Sequence, residues 1–217
     1  MDIAIPLFDR FTALDATGPY EVLSRLPGAR VQFLAHEPGP VRTENGMLSL
    51  NAEHALEDLP SPEVIVVPGG IGTRALLEEE RLLAWIRTAH ESSDWTTSVC
   101  TGSLLLAAAG ILDGLPATTH WLAMDLLERL GAEPASRRVV EQGKIITAAG
   151  VSAGIDMALV LADRIAGAEI AQAIQLSIEY DPEPPFDVGS EAKAPPEVVA
   201  RVREAQAREA QAAATRR

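Results

Sequence analysis

Two kinds of hydrophobic pattern alternate along the chain. Continuous apolar or β-branched runs, each typical of a buried strand, occupy residues 3–8, 30–36, 63–70 and 96–99. Apolar positions recur at helical spacing in residues 14–26, 74–91, 120–132, 152–165 and 168–180. Buried parallel strands read as continuous apolar runs and are joined by crossover helices. The alternation predicts an α/β fold: a flavodoxin-like sandwich with a mostly parallel sheet and helices on both faces.

Two segments predict hairpins outside this alternation. Asn45-Gly46 lies between alternating segments in 41–53, which is a strong hairpin signal, and residues 138–150 read as another hairpin. A proline-rich stretch covers 181–190, and the end of the chain is rich in alanine and charge. We therefore predict a main domain over residues 1–190. We expect residues 191–217 to form either a surface helix or a frayed tail.

The composition indicates which binding partners and which cellular compartment to expect. The 217 residues suffice for one domain with a sizeable core, and the formal net charge is −13. That charge opposes binding to nucleic acid or to an anionic membrane. A single cysteine cannot form an internal disulfide, so we expect a reducing, cytoplasmic location. The N-terminus lacks the pattern of a signal peptide, and no apolar run approaches the roughly 20 residues that span a bilayer.

The only cysteine, Cys100, lies where a strand pattern ends and a helical pattern begins. Thr101 and Gly102 follow it, and then comes a run of small and apolar residues. This arrangement has the form of a nucleophile elbow, in which Gly102 leaves room for a tight turn. The N–H groups at the start of the helix favour thiolate, so we expect a thiol pKa below about 8.5. The alternative is that Cys100 is simply a small buried hydrophobe.

Three titratable residues are candidates for a site around this thiol. Asp15 follows the first strand and is either a helix cap or an acid/base beside the sulfur. Glu21 is either a second carboxyl near Asp15 or a solvated helix residue. His120 lies 20 residues after Cys100 and is either a base or a cap.

Backbone groups complete the candidate site. Gly70 ends the third strand run and either lends its N–H to a developing anion or serves only the turn, and Gly69 lies beside it. Thr101 is a candidate through its backbone N–H and through its hydroxyl. The glycines at 69, 70 and 72 lack the lysine of a phosphate-binding loop. The histidines are scattered without ligand spacing, so we expect no metal site.

Several motifs together resemble the ThiJ/PfpI superfamily, whose fold is related to class I glutamine amidotransferases. They are VVPGG (66–70) and SVCTGSLLLAAAGILDGLPATTHW (98–121). LDATGPYEVL (14–23), GVSAGIDMAL (150–159) and IEYDPEPPFDVGS (178–190) resemble its isonitrile hydratase branch in particular. Protease-like members carry a histidine directly after the cysteine, where this chain has Thr101, so a protease is not supported. AraC-type regulators share SVCTG and ATTHW but carry a further DNA-binding region.

The resemblance implies an activity without metal or cofactor, hydration of an isonitrile to an N-substituted formamide. Cys100 would attack the isonitrile carbon and form a thioimidate. Asp15, which matches the acidic residue of the hydratase site, would protonate nitrogen and then activate water. The resemblance also implies that the protein is a homodimer and that it binds a small-molecule isonitrile and water as substrates. Two alternatives stay open: another cysteine-dependent reaction of glyoxalase or deglycase type, and a redox sensor or stress protein whose thiol is oxidised.

Overall fold

A computed structural model of the protein describes residues 1–215 and, for side chains, residues 1–208. The chain divides into two compact units, Met1–Tyr180 and the segment from Asp181 onward. The predicted domain boundary after residue 190 stays a prediction. Residues 216 and 217 of the predicted C-terminal segment lie outside the described residues.

The first unit contains all the described strands and six α-helices. The strands are β1 (Asp2–Pro6), β2 (Arg30–Ala35), β3 (Gly39–Arg42), β4 (Ser49–Ala52), β5 (His54–Ala55), β6 (Val64–Val67), β7 (Trp95–Val99), β8 (Pro116–Ala117), β9 (Glu133–Pro134), β10 (Val139–Gln142) and β11 (Ile145–Ala148). The helices are α1 (Ala13–Leu23), α2 (Glu80–Ser92), α3 (Gly102–Ala108), α4 (Met124–Arg129), α5 (Ala153–Ala166) and α6 (Ala168–Ser177). The second unit contains α7 (Pro196–Thr215).

Seven strands form the central sheet in the order β10-β11-β7-β6-β1-β2-β5. Every neighbouring pair is parallel except β10 with β11. All four residues of β6, Val-Ile-Val-Val, are buried, which requires cover on both faces of the sheet. The helices supply it: α1 packs against α5 and α5 against α6, while α3 packs against α2 and α4. The predicted α/β sandwich is confirmed.

Both predicted hairpins are present. Strands β3 and β4 pair antiparallel as a separate small sheet, and β10 pairs antiparallel with β11 at one edge of the central sheet. Gly46 in the first turn has φ 72° and Gly143 in the second has φ 58°, a backbone region that glycine enters without a steric penalty. The first hairpin lies beside the loop before α1 through a bridge between Phe11 and Thr43.

Two predicted helices begin later than their patterns. Residues 74–91 contain the end of a 3-10 helix (Ile71–Leu76), and α2 starts only at Glu80. The carboxylate of Glu79 accepts hydrogen bonds from the N–H groups of Arg81 and Leu82, so it caps the helix at that point. Residues 120–132 likewise hold a 3-10 turn followed by the six-residue α4. Among the described helices, none is long and apolar enough to cross a membrane.

Candidate active site

The candidate site forms where four neighbouring parallel strands end. Strands β11, β7, β6 and β1 are consecutive in the sheet, and their carboxyl ends share one edge. The segments that leave them carry Val151, Cys100, Gly69 and Asp15, respectively. In open α/β sheets, ligands bind at this edge. The topology therefore brings together residues that lie up to 136 positions apart, Asp15 and Val151 being the extremes.

Cys100 occupies a sharp turn between β7 and α3. Its φ is 56°, a left-handed conformation that is uncommon for a residue with a Cβ. The N–H of Cys100 is shared between the carbonyls of Ala148 (3.1 Å) and Ala149 (3.0 Å). Its own carbonyl accepts from the hydroxyls of Ser103 (3.2 Å) and Thr119 (3.0 Å). These contacts hold the strained turn in place, as a nucleophile elbow requires.

Gly102 makes the elbow sterically feasible. A Cβ at this position would lie 2.1 Å from the carbonyl oxygen of Val67, far inside any normal contact. The start of α3 therefore packs directly on the end of β6. The role predicted for this glycine from its spacing is confirmed by the contact.

Asp15 is a buried carboxyl group with one partnered and one unpartnered oxygen. Its side chain is in the first turn of α1 and is 0% exposed. Oδ2 accepts a hydrogen bond of 2.9 Å from the N–H of Gly69. Within the described side chains, Oδ1 has no hydrogen-bond partner. A buried polar oxygen left in this way is costly. The polar side chain that interacts with this carboxyl group is the thiol of Cys100.

Burial dominates the ionisation of Asp15. It raises the pKa of this carboxyl group from 3.8 to about 7, although the Gly69 N–H and the neighbouring Cys100 thiol each lower the pKa. The negative charge of Glu44 adds a further upward shift of the pKa. Near neutral pH, Asp15 is consequently able both to give and to take a proton.

Cys100 is also buried, with 4% of its surface exposed, and this burial opposes the lowered thiol pKa that was expected from the sequence. Burial, followed by the charge of Asp15, raises the pKa of Cys100. The backbone N–H groups of Val151 and Thr101 lower that pKa but do not offset the first two causes. The sequence-based prediction of a lowered thiol pKa is therefore wrong, because it counted the helix N–H groups without the burial and the carboxylate.

The two groups titrate as a pair. Each one is buried, and each influences the pKa of the other. Removing one proton from the fully protonated pair gives either thiol with carboxylate or thiolate with carboxyl, and both forms hold the same single proton. Asp15 can thus act as the base that receives the thiol proton.

Gly69, Gly70 and Thr101 form a close contact beside the pair. A Cβ on Gly69 would lie 2.5 Å from the nitrogen of Thr101 and 2.9 Å from Oδ2 of Asp15. The N–H of Gly70 donates to Oγ1 of Thr101 at 2.9 Å, and this hydroxyl donates back to the Gly70 carbonyl at 3.1 Å. The Gly70 N–H is therefore already paired in this structure, and its role as a donor to a developing anion stays a prediction. The Thr101 hydroxyl is likewise directed to Gly70 and not to sulfur.

Two predicted neighbours of the pair have other roles in the structure. Glu21 is exposed on α1 and forms an ion pair of 2.8 Å with Arg25, so it lies outside the site. His120 is half-buried, and its Nδ1 accepts from the N–H of Leu122 at the start of a 3-10 helix. Burial, and the nearby Arg74, lower the pKa of His120. Its ring packs on Gly150, where a Cβ would lie 2.7 Å from Cδ2.

Sequence reasoning missed two residues at the site. Val151 has φ 32°, an outlier for a β-branched residue, and its N–H lies at the Cys100 sulfur. Its position directly after the strand next to β7 was a usable signal. Glu44, in the β3–β4 turn, had no such signal because a separate hairpin brings it to Asp15. In residues 1–208, no group of three or more His, Cys, Asp or Glu side chains has the arrangement of a metal site.

Comparison with known proteins decides the family. The model of the DJ-1/PfpI family matches residues 1–164. The chain belongs to the DJ-1/PfpI family. It is 47% identical over 199 residues to an isonitrile hydratase of Pseudomonas putida, covering 92% of this chain and 87% of that protein. This identity confirms the resemblance to the isonitrile hydratase branch.

Other similar proteins include a longer regulator and two solved structures of the same fold. The helix-turn-helix regulator CdhR of Pseudomonas aeruginosa is 31% identical over 82% of this chain, and the chain spans only 53% of its length. A ThiJ/PfpI family protein from Pseudomonas syringae has a crystal structure that matches with a TM-score of 0.91 and 35% identity. The match covers 95% of this chain and 86% of that one. Drosophila melanogaster DJ-1beta matches with a TM-score of 0.75 at 20% identity, over 82% of this chain and 97% of that one, which shows the common fold.

Proposed function

We propose that this protein is an isonitrile hydratase that converts an isonitrile to an N-substituted formamide through Cys100 and Asp15. The observation that carries the proposal is the 47% identity to the Pseudomonas putida isonitrile hydratase over nearly both whole chains. The buried thiol–carboxyl pair supports it, because it supplies a nucleophile and a proton carrier in one place.

The first step joins sulfur to the isonitrile carbon. In R–N≡C this carbon bonds to Sγ of Cys100 while the thiol proton passes to the Asp15 carboxylate. The carboxyl group then returns that proton to the same carbon. The product is a thioimidate, R–N=CH–S, with Asp15 again a carboxylate. A thioimidate carries its hydrogen on carbon, so the first proton ends there, whereas the sequence-based scheme placed it on nitrogen.

The second step adds water and releases sulfur. Asp15 takes a proton from water as the water oxygen bonds to the thioimidate carbon, and it then gives a proton to nitrogen. The intermediate, R–NH–CH(OH)–S, collapses when the C–S bond breaks and its electron pair leaves with sulfur. The hydroxyl proton moves to the departing sulfur, which yields R–NH–CHO and the free thiol. The N–H groups of Val151 and Thr101 favour the thiolate character of sulfur in both steps.

The test follows the formamide formed from a simple aryl or alkyl isonitrile by mass spectrometry. We expect the wild-type protein to incorporate one oxygen from labelled water. Cys100→Ser should give no turnover. Asp15→Asn should lower turnover by about a hundredfold or more, the range of a lost general acid/base. Rapid acid quenching followed by intact mass analysis should detect the thioimidate on Cys100.

Glu21→Gln is the matched control, because it removes an exposed carboxylate from the same helix as Asp15. It should keep wild-type turnover. Full turnover in Cys100→Ser would refute the covalent route, and full turnover in Asp15→Asn would leave Asp15 as a helix residue only. Peroxide-sensitive oxidation of Cys100 without hydration of any isonitrile would favour the redox-sensor alternative.

We further propose a cytoplasmic homodimer. The one cysteine is a free thiol that hydration needs in reduced form, which fits a reducing compartment. Exposed apolar side chains lie at the start of α1 (Leu14) and in the β3–β4 turn (Met47 and Leu48), and they support association with a second copy. Sedimentation that finds only a 23.1 kDa species at micromolar concentration would refute the dimer.

A further inference from the structure

The β3–β4 turn places one carboxylate against the segment that carries Asp15. The N–H of Glu44 donates to the carbonyl of Phe11 at 3.0 Å, and a strand-like bridge joins Phe11 to Thr43. Phe11 and Thr12 in turn lie against Gly70, where a Cβ would be 2.7 Å from both. The backbone around Glu44 is therefore bonded to the segment that packs against Gly70 at the candidate site.

The side chain of Glu44 is bound to Thr12, the residue that starts α1. A threonine in this position normally uses its hydroxyl to cap the N–H groups of the first helical turn. Thr12 makes no such cap bond. Its Oγ1 donates instead to Oε2 of Glu44 at 3.0 Å. The Asp15 N–H donates a hydrogen bond of 3.1 Å to the Thr12 carbonyl. Thr12 therefore contacts both residues, Glu44 through its hydroxyl and Asp15 through its carbonyl.

The charge on Glu44 reaches Asp15 as well. Burial is the largest cause of the raised pKa of Asp15, and Glu44 is the carboxylate whose charge adds to it. Other charged side chains also lie on the segments packed around Asp15. On the loops and the hairpin these are the exposed Asp9, Arg10, Arg42 and Arg74. On α1 and α5, Glu21, Asp156 and Asp163 form ion pairs with Arg25, Arg138 and Arg164, respectively.

We propose that Glu44 is a positioning residue for the Cys100–Asp15 pair: through Thr12 it fixes the start of α1, and it holds a negative charge beside the segment that carries Asp15. The proposal rests on the role of this pair in the proposed hydration. In that reaction Asp15 must be a proton donor part of the time, and a neighbouring negative charge opposes its permanent ionisation.

The test measures the pH dependence of two reactions of the same protein. One is kcat/KM for a simple isonitrile, and the other is alkylation of Cys100 by iodoacetamide, which needs no hydratase turnover. Glu44→Gln keeps an oxygen for the Thr12 hydroxyl but removes the charge. The acidic limb of each pH profile is the range in which the rate falls because Asp15 becomes protonated. In Glu44→Gln we expect this limb to move to lower pH by about 0.2–0.7 unit in both reactions, the scale of exposed charge interactions. Glu44→Lys should move it further in the same direction.

High salt and control variants separate the effect of the Glu44 charge on Asp15 from a general effect of net charge. Glu44 is exposed, so the shift should largely disappear at about 1 M salt, where the screening length is about 3 Å. Glu21→Gln changes the net charge equally and should shift neither profile. Thr12→Val should move the limb in the same direction as Glu44→Gln because the carboxylate is no longer held, and Thr12→Ser should restore the wild-type profile.

The outcomes distinguish this proposal from the hydratase proposal. Equal shifts in Glu44→Gln and Glu21→Gln, or no shift in Glu44→Gln with an unchanged melting temperature, would overturn the role of Glu44. An alkylation shift confined to the Glu44 and Thr12→Val variants supports that role. If the wild-type protein hydrates no isonitrile while the alkylation shift is present, the hydratase proposal fails and the coupling of Glu44 to the pair stands.

Discussion

Replacing Asp15 with asparagine should stabilise the folded protein near neutral pH while it removes activity. The buried carboxyl group has its pKa raised from 3.8 to about 7, a displacement of about three units. Each unit corresponds to about 1.36 kcal/mol of preference for the neutral form. The fold therefore carries an ionisation penalty of up to about 4 kcal/mol at this one side chain.

The sign of the pH dependence follows from which state binds the proton more tightly. Below about pH 3.8 the carboxyl group is neutral in both folded and unfolded chains, and no penalty applies. Between about pH 4 and 7 the unfolded chain ionises while the folded chain keeps the proton, so stability falls as pH rises. Above about pH 7 both states are ionised and the penalty is constant. Asparagine does not titrate and avoids this loss.

Urea unfolding between pH 4.5 and 8 at fixed ionic strength measures the effect. The free energy of unfolding of Asp15→Asn minus that of the wild type should rise with pH by about 2–4 kcal/mol and level off above about pH 7. Any change in the hydrogen bond to Gly69 changes this free-energy difference by the same amount at every pH. Glu21→Gln, which removes an exposed carboxylate from the same helix, should not reproduce this rise. A flat difference for Asp15→Asn would refute the raised pKa and with it the proton-carrier role.

Three further predictions follow from single contacts. First, kcat/KM and Cys100 alkylation should share an acidic limb near pH 7, because Asp15 must lose its proton to accept that of the thiol; a limb near pH 4 would contradict this. Second, Gly69→Ala should lower turnover at least about tenfold in a folded protein, because its Cβ would reach 2.5 Å from the Thr101 nitrogen. Gly189→Ala, at a glycine with no atom within 4 Å of an added Cβ, should be neutral in the same assay. Third, Ser98→Ala should raise the free energy of unfolding by about 1 kcal/mol, because the buried Ser98 hydroxyl has no partner among the described side chains. Equal or lower stability in urea would show that this hydroxyl is satisfied.

The architecture was predictable because its signals are local. Continuous apolar runs such as 63–70 gave the buried strands, and Asn45-Gly46 gave a hairpin. The start of α2 was not predictable from periodicity alone, since the capping carboxylate of Glu79 shortens the helix relative to its apolar pattern. Helix ends depend on individual side-chain hydrogen bonds, which a pattern of apolar positions does not contain.

The site was predictable only as far as chain order and family motifs reach. Cys100 and Asp15 follow strands whose carboxyl ends meet, and the structure places them together. The pKa of Cys100 was predicted in the wrong direction, because burial and the facing carboxylate are properties of the folded site. Val151 reaches the pair through an outlier backbone angle, and Glu44 through the packing of its hairpin on the loop before α1. The sequence predicted the hairpin itself, but it shows neither that angle nor that packing.

The two margins of the central sheet limit how this protein can associate with others. One margin is β5, which has only two residues, His54 and Ala55. The other is the antiparallel β10, whose Glu141 is held by Arg164 from α5 at 3.0 Å. A short strand and a charged strand are poor templates for adding a foreign strand. Growth of the central sheet from molecule to molecule, the route to fibrils, is thereby discouraged.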